Sequence, residues 1–196
     1  MDRKRVIVES IGKGTSSSDV AMRMLVLSPT VAFEGCEDIG FSITESIAEF
    51  FSVSVRSVHV CGSAKLGFSP VKKTPFSRGE SDLDVAIIDH DCFNRYVGEV
   101  IVATNQYRDR RGFARKHGAV GSTYDSFVEY LAKGIFRPDM MPYCDARKLW
   151  MEFFRKLSLD HSGVFSKISA GIYLSDVAFK LKQSNVFADM GRKGFL

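Results

Sequence analysis

The sequence predicts a single α/β domain, and three observations carry that expectation. Residues 57–61 and 84–88 are short apolar runs of strand length, separated by a connection holding Pro70, Pro75 and Gly79, which interrupt regular structure. Two longer segments repeat apolar residues at helical spacing: Ile43, Ile47, Phe50 and Phe51 in one, Leu149, Trp150, Phe153, Phe154 and Leu157 in the other. A chain of 196 residues, 45% of them hydrophobic, is also long enough to bury one full core.

Taken in order, residues 1–18 read as a flexible arm, because the run Gly12 to Ser18 is too polar and glycine-rich to bury much surface. The domain then covers 19–196, with a helical elaboration after about residue 104. The apolar pattern from Asp19 to Leu27 stops at Ser28-Pro29, where proline turns the preceding residue away from helix. A helix follows from about Gly40 to Ser52, then the two strands. Residues 90–103 fit helix or strand, since Val97, Val100, Ile101 and Val102 satisfy both periods; helix is preferred. Ser122 to Asp125 starts a helix whose buried side is Phe127, Val128 and Leu131, ending at Gly134. Asp145 to Leu159 is the strongest helix, its aromatic stripe read as core in preference to a base-stacking platform. Val164 to Tyr173 alternates as a third strand, and the last segment is helix or tail.

Composition excludes several classes. No apolar run is long enough to span a bilayer, and Val6 to Val8 is too short for a signal peptide, so no membrane partner and a cytoplasmic location are expected. Cys36, Cys61, Cys92 and Cys144 are scattered without zinc-ligand spacing and read as reduced, mostly packed thiols. No phosphate-binding G-x-x-x-x-G-K-[ST] occurs, and His90, His117 and His161 have no acid–base partner at readable spacing. The net charge is +4, but Arg108, Arg110, Arg111, Arg115 and Lys116 crowd one stretch. Such a cluster either meets a polyanion or simply solvates its surface.

The chemistry concentrates between residues 60 and 88. Asp82 and Asp84, one residue apart at the mouth of a strand, point the same way. Paired hard oxygens suit Mg2+ or Mn2+, which complete their shells with waters and substrate phosphates. Gly62-Ser63, where the preceding strand ends, offers backbone amides and a hydroxyl to phosphate oxygens. Acids that merely solubilise a strand end are the alternative reading.

Gly62, Ser63, Gly67, Ser81, Asp82 and Asp84 together resemble the nucleotidyltransferase superfamily, with its DNA polymerase β-like palm. The resemblance implies a small mixed β-sheet backed by helices, with a helical C-terminal portion, that moves a nucleoside monophosphate from an NTP to an acceptor. Asp82 and Asp84 would hold the metal, and Gly62, Ser63, Lys65, Gly67 and Ser81 would line the phosphate side. Lys72, Lys73 and Arg78 either clamp the triphosphate or are solvated loop cations. Active members add a third carboxylate from a neighbouring strand. Glu99 would be the candidate if residues 99–106 formed a strand; as a helix, they leave no strand-borne acid. A protein that binds nucleotide or nucleic acid without turnover, as a sensor or an assembly subunit, is therefore the second reading. The stretches Lys65 to Pro70 and Gly134 to Pro142 resemble a group of stand-alone bacterial nucleotidyltransferase-domain proteins, which implies a place in defence or toxin–antitoxin loci. The acceptor, whether nucleic acid, protein or small molecule, stays open.

Overall fold

The computed structural model describes residues 2–114 and 122–192, and the fold is α+β with a four-stranded mixed sheet. The helices are α1 (Arg3–Gly12), α2 (Ser17–Met22), α3 (Glu37–Phe51), α4 (Gly62–Leu66), α5 (His90–Ala103), α6 (Thr123–Ala132), α7 (Asp145–Asp160) and α8 (Asp176–Arg192). The strands are β1 (Val58–Cys61), β2 (Leu83–Ile88), β3 (Ile135–Phe136) and β4 (Ile168–Tyr173), in the spatial order β1-β2-β4-β3. β2 runs antiparallel to β1 and parallel to β4, while β3 is antiparallel to β4.

Strand parity decides which core each residue joins. Leu83, Val85 and Ile87 of β2, with Ile168, Ala170 and Ile172 of β4, face a core closed by α3, α5 and α7. Ala86 and Ile88, with Cys61 and Tyr173, face a second core closed by α1, α2 and α8. Helices therefore cover both faces of the sheet. In the first core Trp150 meets Phe51 at 4.7 Å and Tyr96 at 4.8 Å, both edge-on. The aromatic stripe of α7 is thus core, except that Leu149 is 58% exposed, being rotated away from Trp150 by one helical step. Val128 on α6 is likewise exposed, because Phe127 alone takes that turn's inward position.

The flexible arm expected before residue 19 is not what the structure shows. α1 carries Val6, Ile7, Val8 and Ile11 into the second core, where Ile7 is fully buried, and Asp2 caps the helix by accepting from the Arg5 amide. The buried Arg3 donates to the Lys65 carbonyl at 2.6 Å, tying the helix to α4. The polar run that argued for an arm, Gly12 to Ser18, spans the end of α1, the short turn and the first residues of α2.

Residues 90–103 are helix, capped by Asp89, whose carboxylate accepts from the Cys92 amide at 2.8 Å. The third strand begins at Ile168, four residues later than the alternation implies, and β3 is too short for any periodicity to reveal. β3 pairs only with Ile172 and Tyr173, so among the described residues the edge of β4 from Ile168 to Gly171 has no strand beside it. The Ser158 hydroxyl accepts from the Ile168 amide at 2.9 Å and covers the start of that edge.

Replacing Ile7 by Ala should cost about 2–5 kcal/mol in a denaturant titration, the range for a truncated core aliphatic, whereas a residue in a solvated arm would change stability by less than about 0.5 kcal/mol.

Candidate functional site

Asp82 and Asp84 stand at the N-terminal end of β2, with the buried Leu83 between them holding both carboxylates on the opposite, open face. Each is held from the β4 side by a serine. Ser166 donates to Asp82 Oδ1 at 2.6 Å, and Ser169 donates to Asp84 Oδ1 at 3.2 Å. Asp84 lies directly between Cys61 of β1 and Ser169 of β4 in the sheet. Its second oxygen faces Gly62, where a Cβ would come within 3.0 Å of Oδ2. Gly62 also has φ +63°, a left-handed conformation that lets the chain leave β1 and enter α4 directly.

Partial burial among the strand neighbours pushes the Asp84 carboxyl above its ordinary pKa; the Ser169 hydrogen bond opposes this, the Asp82 charge reinforces it, and Lys167 and Lys72 oppose it. The Asp82 charge thus bears on Asp84 from two residues away. A divalent cation between them would remove that repulsion, and two hard carboxylates with oxygens left over suit Mg2+ or Mn2+. Among the described residues no group of three His, Cys, Asp or Glu side chains gathers to hold an ion. The β4 residue opposite Asp84 is Ser169, and Glu99 lies in helix α5. Cys61 supplies no alternative ligand: burial, with the Asp84 charge beside it, pushes its thiol up to about 12.

The other residues expected at the phosphate side divide. Ser63 opens α4 beside Gly62, where the first amides of a helix lack intrahelical acceptors. Lys65 does not face the site. It is buried, donates to the Ser28 carbonyl at 2.6 Å, and burial lowers its pKa to about 8. Gly67 ends α4 with φ +85°, and a Cβ there would meet Val31 Cγ1 at 3.3 Å, so its tolerance of close approach serves packing. The Ser81 hydroxyl accepts from the Ser77 amide at 3.0 Å and shapes the turn into Asp82. Arg78 is spent on the Ala32 and Glu34 carbonyls and does not clamp a ligand.

Comparison with protein-family models, with curated proteins and with solved structures returns no match.

Asp84, Gly62 and Ser169 belong to a cleft of about 460 Å³ that follows the open edge of β4. That volume is in the range of small-molecule sites. The cleft is also lined by Tyr130, Arg137, Lys167 and Lys182, from α6, the loop after β3, the approach to β4, and α8. Sequence reasoning did not single out these residues, because no local spacing joins them; only the crossover from β2 to β4 does. Arg108, Arg110 and Arg111 are exposed around a separate open hollow of about 810 Å³. Arg111 pairs with Asp109 at 2.7 Å and Arg110 lies over the Tyr124 ring at 3.9 Å, whereas Arg108 has no acid partner among the described residues. Arg115 and Lys116 lie outside the described residues. No helix among them is long and apolar enough to cross a membrane.

Because the folded-state pKa of Asp84 is raised, stability is greatest below the unfolded carboxylate value and is lost as pH rises through the folded one. Asp84→Asn should therefore raise Tm slightly at pH 7, by no more than about 3 °C given the group's exposure, and this gain should vanish below about pH 4. Thermal melts at the two pH values check it.

Proposed function

We propose that this chain is a metal-dependent nucleotidyltransferase, moving a nucleoside monophosphate from an NTP to an acceptor hydroxyl or phosphate. The observation that carries this reading is the placement of Asp82 and Asp84 on one open strand face, with Asp84 against Gly62 and lining a cleft of about 460 Å³. The small mixed sheet, with β1 antiparallel and β4 parallel to the carboxylate strand and helices on both faces, is in keeping with the mixed sheet that the resemblance implies. Asp82 and Asp84 would hold Mg2+ or Mn2+ through the oxygens their serines leave free. A bound ion would neutralise triphosphate charge and lower the pKa of an attacking hydroxyl. The protein's own part is to fix both carboxylates through Ser166 and Ser169 and to present the Gly62 backbone close to Asp84.

One observation favours a second reading, nucleotide binding without efficient transfer. The strand position that would supply a third carboxylate holds Ser169, whose hydroxyl turns toward Asp84. Asp139 is the other acid lining the cleft, and Arg137 holds it by two hydrogen bonds at 2.8 and 3.0 Å. A sensor, or a subunit of a larger assembly in a defence or toxin–antitoxin system, would need binding alone.

Calorimetry with Mg2+ and NTPs should show saturable binding that the Asp82→Asn, Asp84→Asn double variant abolishes without loss of fold; unchanged Mg2+-dependent affinity would refute the site. Incubation with α-labelled NTPs and cell extract separates the two readings. Label transfer by the wild type supports the enzyme, and binding with transfer only in Ser169→Asp supports the sensor.

The arginine hollow gives an independent expectation. Charge reversal at Arg108 and Arg110 should weaken retention on single-stranded RNA and shallow its salt dependence by about one per residue. Unaltered elution across a salt gradient would return the cluster to a solubilising role.

A further inference from the structure

The cleft holds both signs of charge. Asp84 and Asp139 line it, as do cations from three separate elements, Arg137, Lys167 and Lys182. Arg137 lies 5.2 Å from the centroid of the Tyr130 ring, and Lys182 and Lys133 each lie 5.7 Å from it. Three cations around one ring repel each other unless countercharge is supplied. Glu129 supplies it to Lys133 at 2.6 Å, and Asp139 supplies it to Arg137 at 2.8 Å. Lys182 has no acid partner among the described residues, and it is exposed on the cleft wall. Lys167 is likewise exposed there; its charge is felt by Asp84, yet no hydrogen bond among the described residues fixes its ammonium. A wall with two uncommitted ammonium groups and a guanidinium held in place by Asp139 presents donors to an anion with several oxygens.

We propose that Lys167, Arg137 and Lys182 form a metal-independent subsite for the phosphate groups of a ligand that lies along the β4 edge with its other end at Asp82 and Asp84. Two sources carry that chemistry, the phosphate chain of a free nucleotide and the 5′-phosphate of a nucleic-acid strand end. The subsite extends the nucleotide reading above, but it does not need the carboxylates to hold metal.

The test is calorimetry with inorganic tripolyphosphate, in EDTA and at low salt. Wild-type protein should bind it. The Lys167→Gln, Lys182→Gln double variant should bind at least roughly tenfold more weakly, the loss expected for charge-assisted hydrogen bonds to phosphate. Both lysines are exposed, so the variant's Tm should match the wild type, which separates a lost subsite from a lost fold. The Asp82→Asn, Asp84→Asn variant should bind tripolyphosphate as tightly as wild type or more so, even where its Mg2+-dependent nucleotide binding is gone; the subsite therefore stands or falls apart from the metal site. No binding by wild type, or equal binding by the lysine variant, overturns the proposal. Competition then names the source: displacement by ATP assigns a free nucleotide, displacement by a 5′-phosphorylated but not a 5′-hydroxyl oligonucleotide assigns a strand end, and displacement by neither also overturns it.

Discussion

Alternation along β2 sends Leu83, Val85 and Ile87 into one core and turns Asp84, Ala86 and Ile88 to the other face. A slip of one residue would drive Asp84 among Ile168, Trp150 and Phe154, where an unpaired charge has no compensation. The register is held from both sides, antiparallel by β1 and parallel by β4, and from both faces by helices that close two separate cores. The two carboxylates are tolerated because they stand at the strand's N-terminal end, where both side chains remain exposed. The site is thus a consequence of where the second core stops.

That second core explains which parts of the fold were legible in the sequence. β1, β2, α3 and α7 declare themselves through apolar periods that run for the whole element, as with Ile43, Ile47 and Phe51 at steps of four. α1 was hidden because its apolar residues are few and are followed by the polar turn at 12–18; its burial depends on α8, which lies at the other end of the chain. Tertiary partners decide such a helix, since one of ten residues has little stability of its own. β3 escaped notice for a different reason, as two residues carry no period.

The candidate site divides the same way. Asp82, Asp84, Gly62 and Ser63 were legible because two residues of separation on a strand and one turn at its end are local facts. Lys65 was misplaced: adjacency to Gly62-Ser63 suggested a phosphate ligand, but the first turn of α4 rotates its side chain into the Ser28 carbonyl. Ser166, Ser169 and Lys167 lie more than eighty residues from Asp82, Arg137 comes from the loop after β3 and Lys182 from α8, with no motif joining them. Only the parallel crossover brings them together.

The short reach of β3 ties these features into one arrangement. Had β3 continued alongside β4, it would have paired Ile168 to Gly171 and filled the cleft with backbone. By stopping after Phe136 it turns the chain outward, and the next residue, Arg137, becomes part of the wall. Ser169 then occupies the middle of that open edge, donating to Asp84 where an acid would have added a third negative charge. Such an acid would push the Asp84 carboxyl higher still in the absence of a cation, whereas the hydroxyl steadies its ionised form. The chain therefore keeps two carboxylates, each steadied by a serine, beside Lys167 and Lys182, which have no acid partner among the described residues. An anionic ligand would meet the cations directly, whereas at Asp82 and Asp84 its negative charge would need a cation between.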